Sequence, residues 1–502
     1  MYPLTLSVTN GGVTTTEWSL IAVQATAVGR PVRVNLIATL GPASWRHPAR
    51  AIAVLDLLAR FPSTPLALSA DYRTLLDVLS STSPEASAWR ASLSRALKSP
   101  AHVALAAPPG DVDFGGLAAA GLTSQVGGQL SLAGQLLYAL TKHSPAHPVL
   151  LSGTPSVSSL RALANVGVRD VILPESSLAT APSTTLTWGA PFRVPGERRL
   201  TALATDGPLD GLMIDSSIEP GRRAVLALDT LAFLHFEAPD APSARSVVVT
   251  VAVADTSPTF ISDLLSGFAH DPFFVASPLA LAFASSLVAT NGAPGDRALG
   301  TTPSSTWSAR NVSTLAALGT AVNSFSEAVA STDIGYELRV ALAESEVSGG
   351  AGQRQSLITA ATAQLDQQLR LFSVGTAAIT LTGTGTALPI TVLSRAGYTV
   401  TAVVHLITDR LSFPKGDSIA VTLDAPTRSI RVATANHRGS SLTLQVIVTT
   451  PDDQVTLARA AVQVRIAGTS VVGYLLTIGS LLVLAIWWWR TYRRRSRGRH
   501  AR

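Results

Sequence analysis

Trp45, Asp71, Tyr72, Asp111, Asp113, Glu175, Asp215 and Asp255 are the residues of this chain best suited to form a sugar site. Each follows a short apolar run that reads as a strand, as do Ser44, Ser152 and Thr154. If those strands are parallel, the side chains gather at the strands' carboxyl ends, where strand–helix barrels carry their chemistry. Acids ringed with one or two aromatic side chains suit a carbohydrate. Two carboxyl groups at the right separation cleave a glycosidic bond, one as acid and the other as base or nucleophile. Asp71, Asp113, Glu175 and Asp215 are the candidates for that pair. The same positions also have a structural reading, because Asp71, Asp111, Asp215 and Asp255 stand just before helical sequence. An aspartate there caps exposed backbone N–H groups. No residue is therefore assigned a catalytic role, and the pocket is expected to bind rather than cut.

Other chemistries find little support. With no cysteine in the chain, thiolate nucleophiles, thiolate metal sites and disulfides are all excluded. A metal-dependent deacetylase needs an aspartate and two histidines on one ion. The one His-x-x-x-His pattern, His143–His147, is interrupted by Pro145 and precedes its strand, at the end opposite Asp71 and Asp113. His47, His102, His235 and His270 stand alone, and neither a metal nor a cofactor is expected. Gly127-Gly128 and Gly349-Gly350 lie in no strand–turn–helix setting for a phosphate, and no serine sits in a Gly-x-Ser-x-Gly elbow. Asn311-Val312-Ser313 fits a glycosylation pattern but reads as linker or helix cap.

The elements that position the acids change character along the chain. Leu4, Leu6 and Val8 alternate with polar residues, Asn10-Gly11-Gly12 reads as a hairpin turn, and Trp18–Val23 as the return strand. Residues 1–30 therefore look like the remnant of a β-domain, with an export signal and further strands expected upstream. Residues 31–290 alternate apolar strands with helices. The strands fall at 32–40, 65–69, 102–107, 148–151, 170–173, 211–214 and 247–253, and helices include 48–60, 157–166, 220–236 and 258–269. Continuous apolar strands with crossover helices indicate a parallel sheet covered on both faces. Seven or eight such units fit a (β/α) barrel better than an open sheet. Residues 291–372 read as a Gly/Pro/Ser/Thr linker and a helical segment. Residues 373–465 carry seven short strands with turn residues between them, the pattern of an immunoglobulin-like β-sandwich.

The last segment is apolar. Residues 466–489 carry no charge, and Trp487, Trp488 and Trp489 close the run before Arg490, Arg493, Arg494 and Arg495. A stretch of that length matches the ~30 Å hydrocarbon slab of a bilayer. Tryptophans prefer the headgroup level, and arginines packed behind a span stay cytoplasmic. The expectation is a single-pass membrane helix with residues 1–465 outside the cell membrane and a basic cytoplasmic tail at 490–502. The net charge is +6 and the tail holds seven arginines, so residues 1–489 carry a net −1. The high sequence pI of 9.9 thus belongs to the tail. A near-neutral body with no basic stripe argues against nucleic acid, and the tail's natural partner is anionic lipid. With 47% hydrophobic and 14% charged residues, the body has enough apolar surface to fold around large cores without cross-links.

Several scattered pieces together resemble the actinobacterial DUF6049 family of exported, single-span envelope proteins. They are Leu66–Tyr72, Leu105–Asp113 with Leu117 and Gly121-Leu122, Ser152–Thr154, Leu160–Val168, Val171–Pro174, Arg245–Val249 and Val446–Asp452, ahead of the tryptophan–arginine anchor. The resemblance implies a signal peptide and an actinobacterial envelope setting, and it carries no catalytic residues over. The reading is a membrane-anchored envelope protein whose non-catalytic barrel binds a cell-wall glycan or a membrane protein of envelope synthesis. The alternatives are a glycoside hydrolase acting on wall polysaccharide and a structural scaffold of a membrane complex.

Overall fold

β-Branched and apolar residues at every position, rather than at alternate ones, mark strands buried on both faces. Val32–Leu40 and Ser246–Ala252 show that pattern except at Arg33, Asn35 and Ser246, and both are almost wholly buried. The computed structural model describes residues 2–10, 13–21, 29–108, 112–151, 153–179, 190–238, 245–269, 271–285, 295–300, 307–330, 332–346, 351–381, 387–435, 441–466 and 471–496. It divides into two compact units: residues 1–319 with 336–362, and residues 320–335 with 363–502.

The first unit opens with a hairpin of β1 (Tyr2–Asn10) and β2 (Val13–Ile21). Then come β3 (Val32–Leu40), β4 (Leu66–Asp71), β5 (His102–Ala107), β6 (Val149–Leu150), β7 (Asp170–Leu173), β8 (Phe192–Val194), β9 (Glu197–Ala204), β10 (Ser246–Ala252) and β11 (Phe274–Ala276). Parallel ladders join β10 to β3, β3 to β4 and β4 to β5. Others join β6 to β7 and β7 to β9. Two single parallel bridges connect these sets. Leu105 of β5 pairs with Ala146, just before β6, and Thr205, just after β9, pairs with Val248 of β10. The order of pairing therefore returns to the strand where it began.

The core confirms this arrangement. Ile37, Ala67, Leu105, Leu150, Ile172, Leu203 and Val248, one residue from each strand of the ring, form a single buried cluster. Leu279 and Ala282 of the helix Leu279–Phe283 complete it. β11 pairs with the amino half of β3 through Phe274 and Val32, so this helix and strand close the amino end of the ring. The alternate residues Val34, Leu36, Ala38 and Leu40 face outward into a second cluster shared with the surrounding helices, as the two-residue period of a strand requires.

One strand in the sequence reading is wrong. Gly211–Ile214 belongs to the helix Gly207–Ile214. Asp206 caps that helix through the Leu209 N–H and Pro208 sits in its first turn, both start signals for a helix. The ring strand at this place is β9, hidden in the sequence by Glu197, Arg198 and Arg199. It returns from β8 across Pro195 and Gly196, and Gly196 adopts a positive φ of 91°. The helical segment expected within 291–372 comprises, among the described residues, Ala309–Ala328, Thr332–Ser345 and Ala351–Leu369.

Among the described residues, the second unit contains two sheets. One has the order β12 (Phe372–Val374), β14 (Ala387–Ser394), β17 (Thr427–Ala433). The other has β13 (Ile379–Leu381), β19 (Thr456–Ile466), β18 (Ser441–Thr449), β15 (Val400–Ile407), β16 (Ser418–Leu423). Leu388, Ile390 and Val392 of β14 are buried between exposed or half-buried neighbours, as are Leu442, Leu444 and Val446 of β18. This is the alternation of sheets with one covered face. The final helix, Val471–Ser496, holds an 18-residue window, Leu475–Tyr492, long and apolar enough to cross a membrane by length and composition. Ile466, the first residue of the expected span, instead ends β19, while Arg490, Arg493, Arg494 and Arg495 continue the helix.

Candidate binding site at the carboxyl ends of the strands

Two residues beyond the inner apolar cluster, the ring changes chemistry. Thr39 follows Ile37 by two, Ser69 follows Ala67, Thr205 follows Leu203 and Thr250 follows Val248. By the strand period these small hydroxyl residues share the inward direction of the cluster residues. They form a polar floor one pleat above an apolar plug, and Asp71 continues the row on β4.

Asp71 ends β4 and caps the helix Tyr72–Ser80. Its Oδ1 accepts N–H bonds from Arg73 at 2.9 Å and Thr74 at 3.2 Å. Burial holds its carboxyl above the ordinary value, opposed by those two N–H groups and by the Arg73 charge. Replacement by alanine is expected to cost about 1 kcal/mol through the lost cap, and Asp71→Asn much less. Urea midpoints of the two variants check this. Tyr72 is 1% exposed with its hydroxyl unpartnered. Burial raises its pKa first, followed by the negative charges of Glu344 and Asp71. Trp45 packs against the outer core cluster and Ser44 is buried on the helix Pro42–Arg46, so both serve packing.

Asp113 caps the helix Phe114–Ala119 through the Gly116 N–H at 2.9 Å. Asp111 and Ser152 lie outside the described residues, and Thr154 is exposed. Asp215 follows a helix rather than a strand, and accepts from the backbone N–H and hydroxyl of Ser217 at 2.9 and 2.6 Å. Those bonds lower its pKa. Asp255 is exposed in a turn, and the cap of the following helix is Ser257. The expectation that Asp215 and Asp255 cap helices is therefore incorrect, because Glu219 and Ser257 stand at the cap positions.

A group of which the sequence named only Glu175 lies at the seam of β7, β9 and β10. Glu175 follows β7, and its Oε2 accepts the Gly207 N–H at 2.9 Å. Asp206 accepts the Leu209 N–H at 3.0 Å. Asp210 reaches across to the Thr250 N–H at 2.6 Å, supplying an acceptor to β10 where β9 has ended. Burial raises the pKa of both Asp206 and Asp210, with the charge of Glu175 adding to each. Arg297, 8% exposed and 5.6 Å over the Phe192 ring, has its pKa lowered by burial while Glu175 opposes that shift. The signal that could have found this group was Pro195-Gly196, a turn that announces a strand starting at Glu197.

Among the described residues, no group of three or more His, Asp or Glu side chains could hold a metal ion. His143 bonds the Thr141 carbonyl at 2.9 Å through Nδ1. Asn311 lies within the helix Ala309–Ala328 and is 9% exposed.

No family model and no curated protein matches the chain. Solved structures give distant likenesses. An α-amylase, AmyC, from Thermotoga maritima is 9% identical at a TM-score of 0.42, over 68% of this chain and 93% of that one. A 4-α-glucanotransferase from Thermococcus litoralis is 11% identical at 0.44, over 85% and 68%. An α-mannosidase from Enterococcus faecalis is 10% identical at 0.39, over 85% and 61%. With TM-scores below 0.5, these likenesses carry no argument about activity or substrate.

Proposed function

We propose that this is a membrane-anchored envelope protein of the DUF6049 kind, whose strand ring is a barrel that binds a cell-wall glycan or partner protein without cleaving it. On this reading the second unit is an immunoglobulin-like stalk. The helix Val471–Ser496 crosses the membrane, with its tryptophans at the interface and its arginines on cytoplasmic lipid. The observation that carries the binding reading is the engagement of the acids. Asp71, Asp113, Glu175, Asp206 and Asp210 each accept a backbone N–H that starts a helix or completes a strand seam. A carboxylate in that role stabilises its own turn. A catalytic acid must be placed to hand its proton to a substrate.

The hydrolase reading has one specific support. Burial, with the charge of Glu175 adding to it, holds Asp206 and Asp210 above their ordinary pKa, as a general acid requires. The two readings separate in one tube. The full chain in detergent is incubated with purified wall glycan, the glycan is pelleted, and reducing ends are counted. The expected result is protein in the pellet and no new reducing ends. New reducing ends that disappear in Glu175→Gln or Asp210→Asn would establish the hydrolase instead.

A further inference from the structure

Arg354 stands in the first turn of the helix Ala351–Leu369 and is 7% exposed. Its guanidinium carbon lies 4.9 Å from the centre of the Trp307 ring. Its Nε and Nη1 are buried with no hydrogen-bond partner, and so is the indole Nε1 of Trp307. A buried charge without a counter-ion is strongly unfavourable. The first turn of the helix contains no acid to compensate it, and the peptide dipoles there add positive potential. All three unpartnered groups are donors, so what they lack is an acceptor-rich anion.

Their place in the fold indicates which anion. A Cβ on Gly116 would lie 2.8 Å from Trp307 Nε1 and would clash with Asp113 Oδ2. Only glycine lets the Asp113 carboxylate and the Trp307 indole pack so closely on the backbone there, and it lies in the helix that follows the carboxyl end of β5. The Trp307 donor therefore lies beside Asp113, just past the carboxyl end of β5. A singly charged carboxylate tolerates the neighbouring Asp113 better than a phosphate of higher charge does.

We infer that Arg354 and Trp307 form an acid-recognising subsite that takes the carboxylate of an acidic sugar. This rests on the glycan-binding reading and names the class of glycan. The probes are a glucuronic-acid tetrasaccharide and its carboxyl-reduced counterpart, titrated calorimetrically into the full chain in detergent. The acidic probe is expected to bind at least about tenfold more tightly, the scale of one charge-assisted hydrogen bond. Arg354→Gln should abolish that preference while leaving the weaker affinity for the neutral probe. Trp307→Phe, which keeps the ring and removes the donor, should reduce the preference in part. Arg354→Gln is expected to melt no lower than the parent, since it removes an uncompensated charge. Equal affinities for the two probes, or a preference surviving Arg354→Gln, would overturn the subsite while leaving glycan binding intact. Inorganic phosphate competing as well as glucuronate would overturn the carboxylate assignment. Binding of neither probe would overturn both the subsite and the reading beneath it.

Discussion

Trp89→Ala is expected to destabilise the first unit by about 3–5 kcal/mol, the range for deleting a buried aromatic side chain. Trp89 lies on the helix Pro84–Ala96, is 0% exposed and belongs to the cluster between the ring's outward residues and its helices. Nearby Leu55, Leu58, Leu93 and Ala96 are fully or almost fully buried in the same cluster. An interior packed this densely collapses only partly around a lost ring, so a cavity cost adds to the lost transfer energy. Trp89→Phe provides the contrast. The Trp89 indole N–H is buried without an acceptor, so phenylalanine loses some volume but also removes an unsatisfied donor. Its cost should be well below that of alanine. Urea midpoints of the two variants check the pair, and equal losses would mean that the side chain's volume is not what the core uses.

The second large effect concerns pH. Glu346 is 2% exposed and accepts from Gln129 Nε2 at 2.7 Å, while its Oε1 has no partner. Burial pushes its pKa from 4.5 up to about 8, with the Gln129 bond opposing. The folded state therefore keeps a proton that the unfolded chain releases near pH 4.5. The proton's contribution to stability is fully present below that value. It falls as pH rises, by about 1.4 kcal/mol per pH unit, until the folded carboxyl ionises near pH 8. Glu346→Gln keeps the shape and the buried neutral state at every pH. The stability difference between variant and parent is expected to grow with that slope from pH 5 to 8 and to level off above it. A difference independent of pH would show that Glu346 ionises normally.

Much of the first unit was legible because its strands are predominantly apolar on both faces. Val32–Leu40, His102–Ala107 and Ser246–Ala252 are doubly covered, and nothing in them competes with that reading. β9 escaped because its first residues lie ahead of its ladder to β7 and can be charged, Glu197 and Arg199 pairing with each other at 2.7 Å. The neighbouring Gly211–Ile214 is apolar on a helix whose cap lies further upstream, beyond the window that suggested a strand. In the second unit the seven strands were readable as short runs separated by turn residues, and among the described residues the short β12 at Phe372–Val374 was missed. The acids were located as a class, but their roles depend on which N–H each meets. Asp71 proved to be a cap, as spacing allowed, whereas Asp215 bonds Ser217 within its own turn. The pairing of Arg354 with Trp307, beside Gly116, spans far too much chain for any local pattern to show.

The account requires the strand ring to meet wall sugars, so it must lie outside the membrane while the arginine end lies inside. A chain without cysteine permits a direct measurement. Single cysteines are placed at the exposed Ser63 of the first unit and at Ser496 behind the tryptophans, and intact cells are treated with a membrane-impermeant maleimide. Labelling of Ser63→Cys in intact cells, with Ser496→Cys reacting only after permeabilisation, is the expected result. The opposite pattern would place the ring in the cytoplasm and contradict the account.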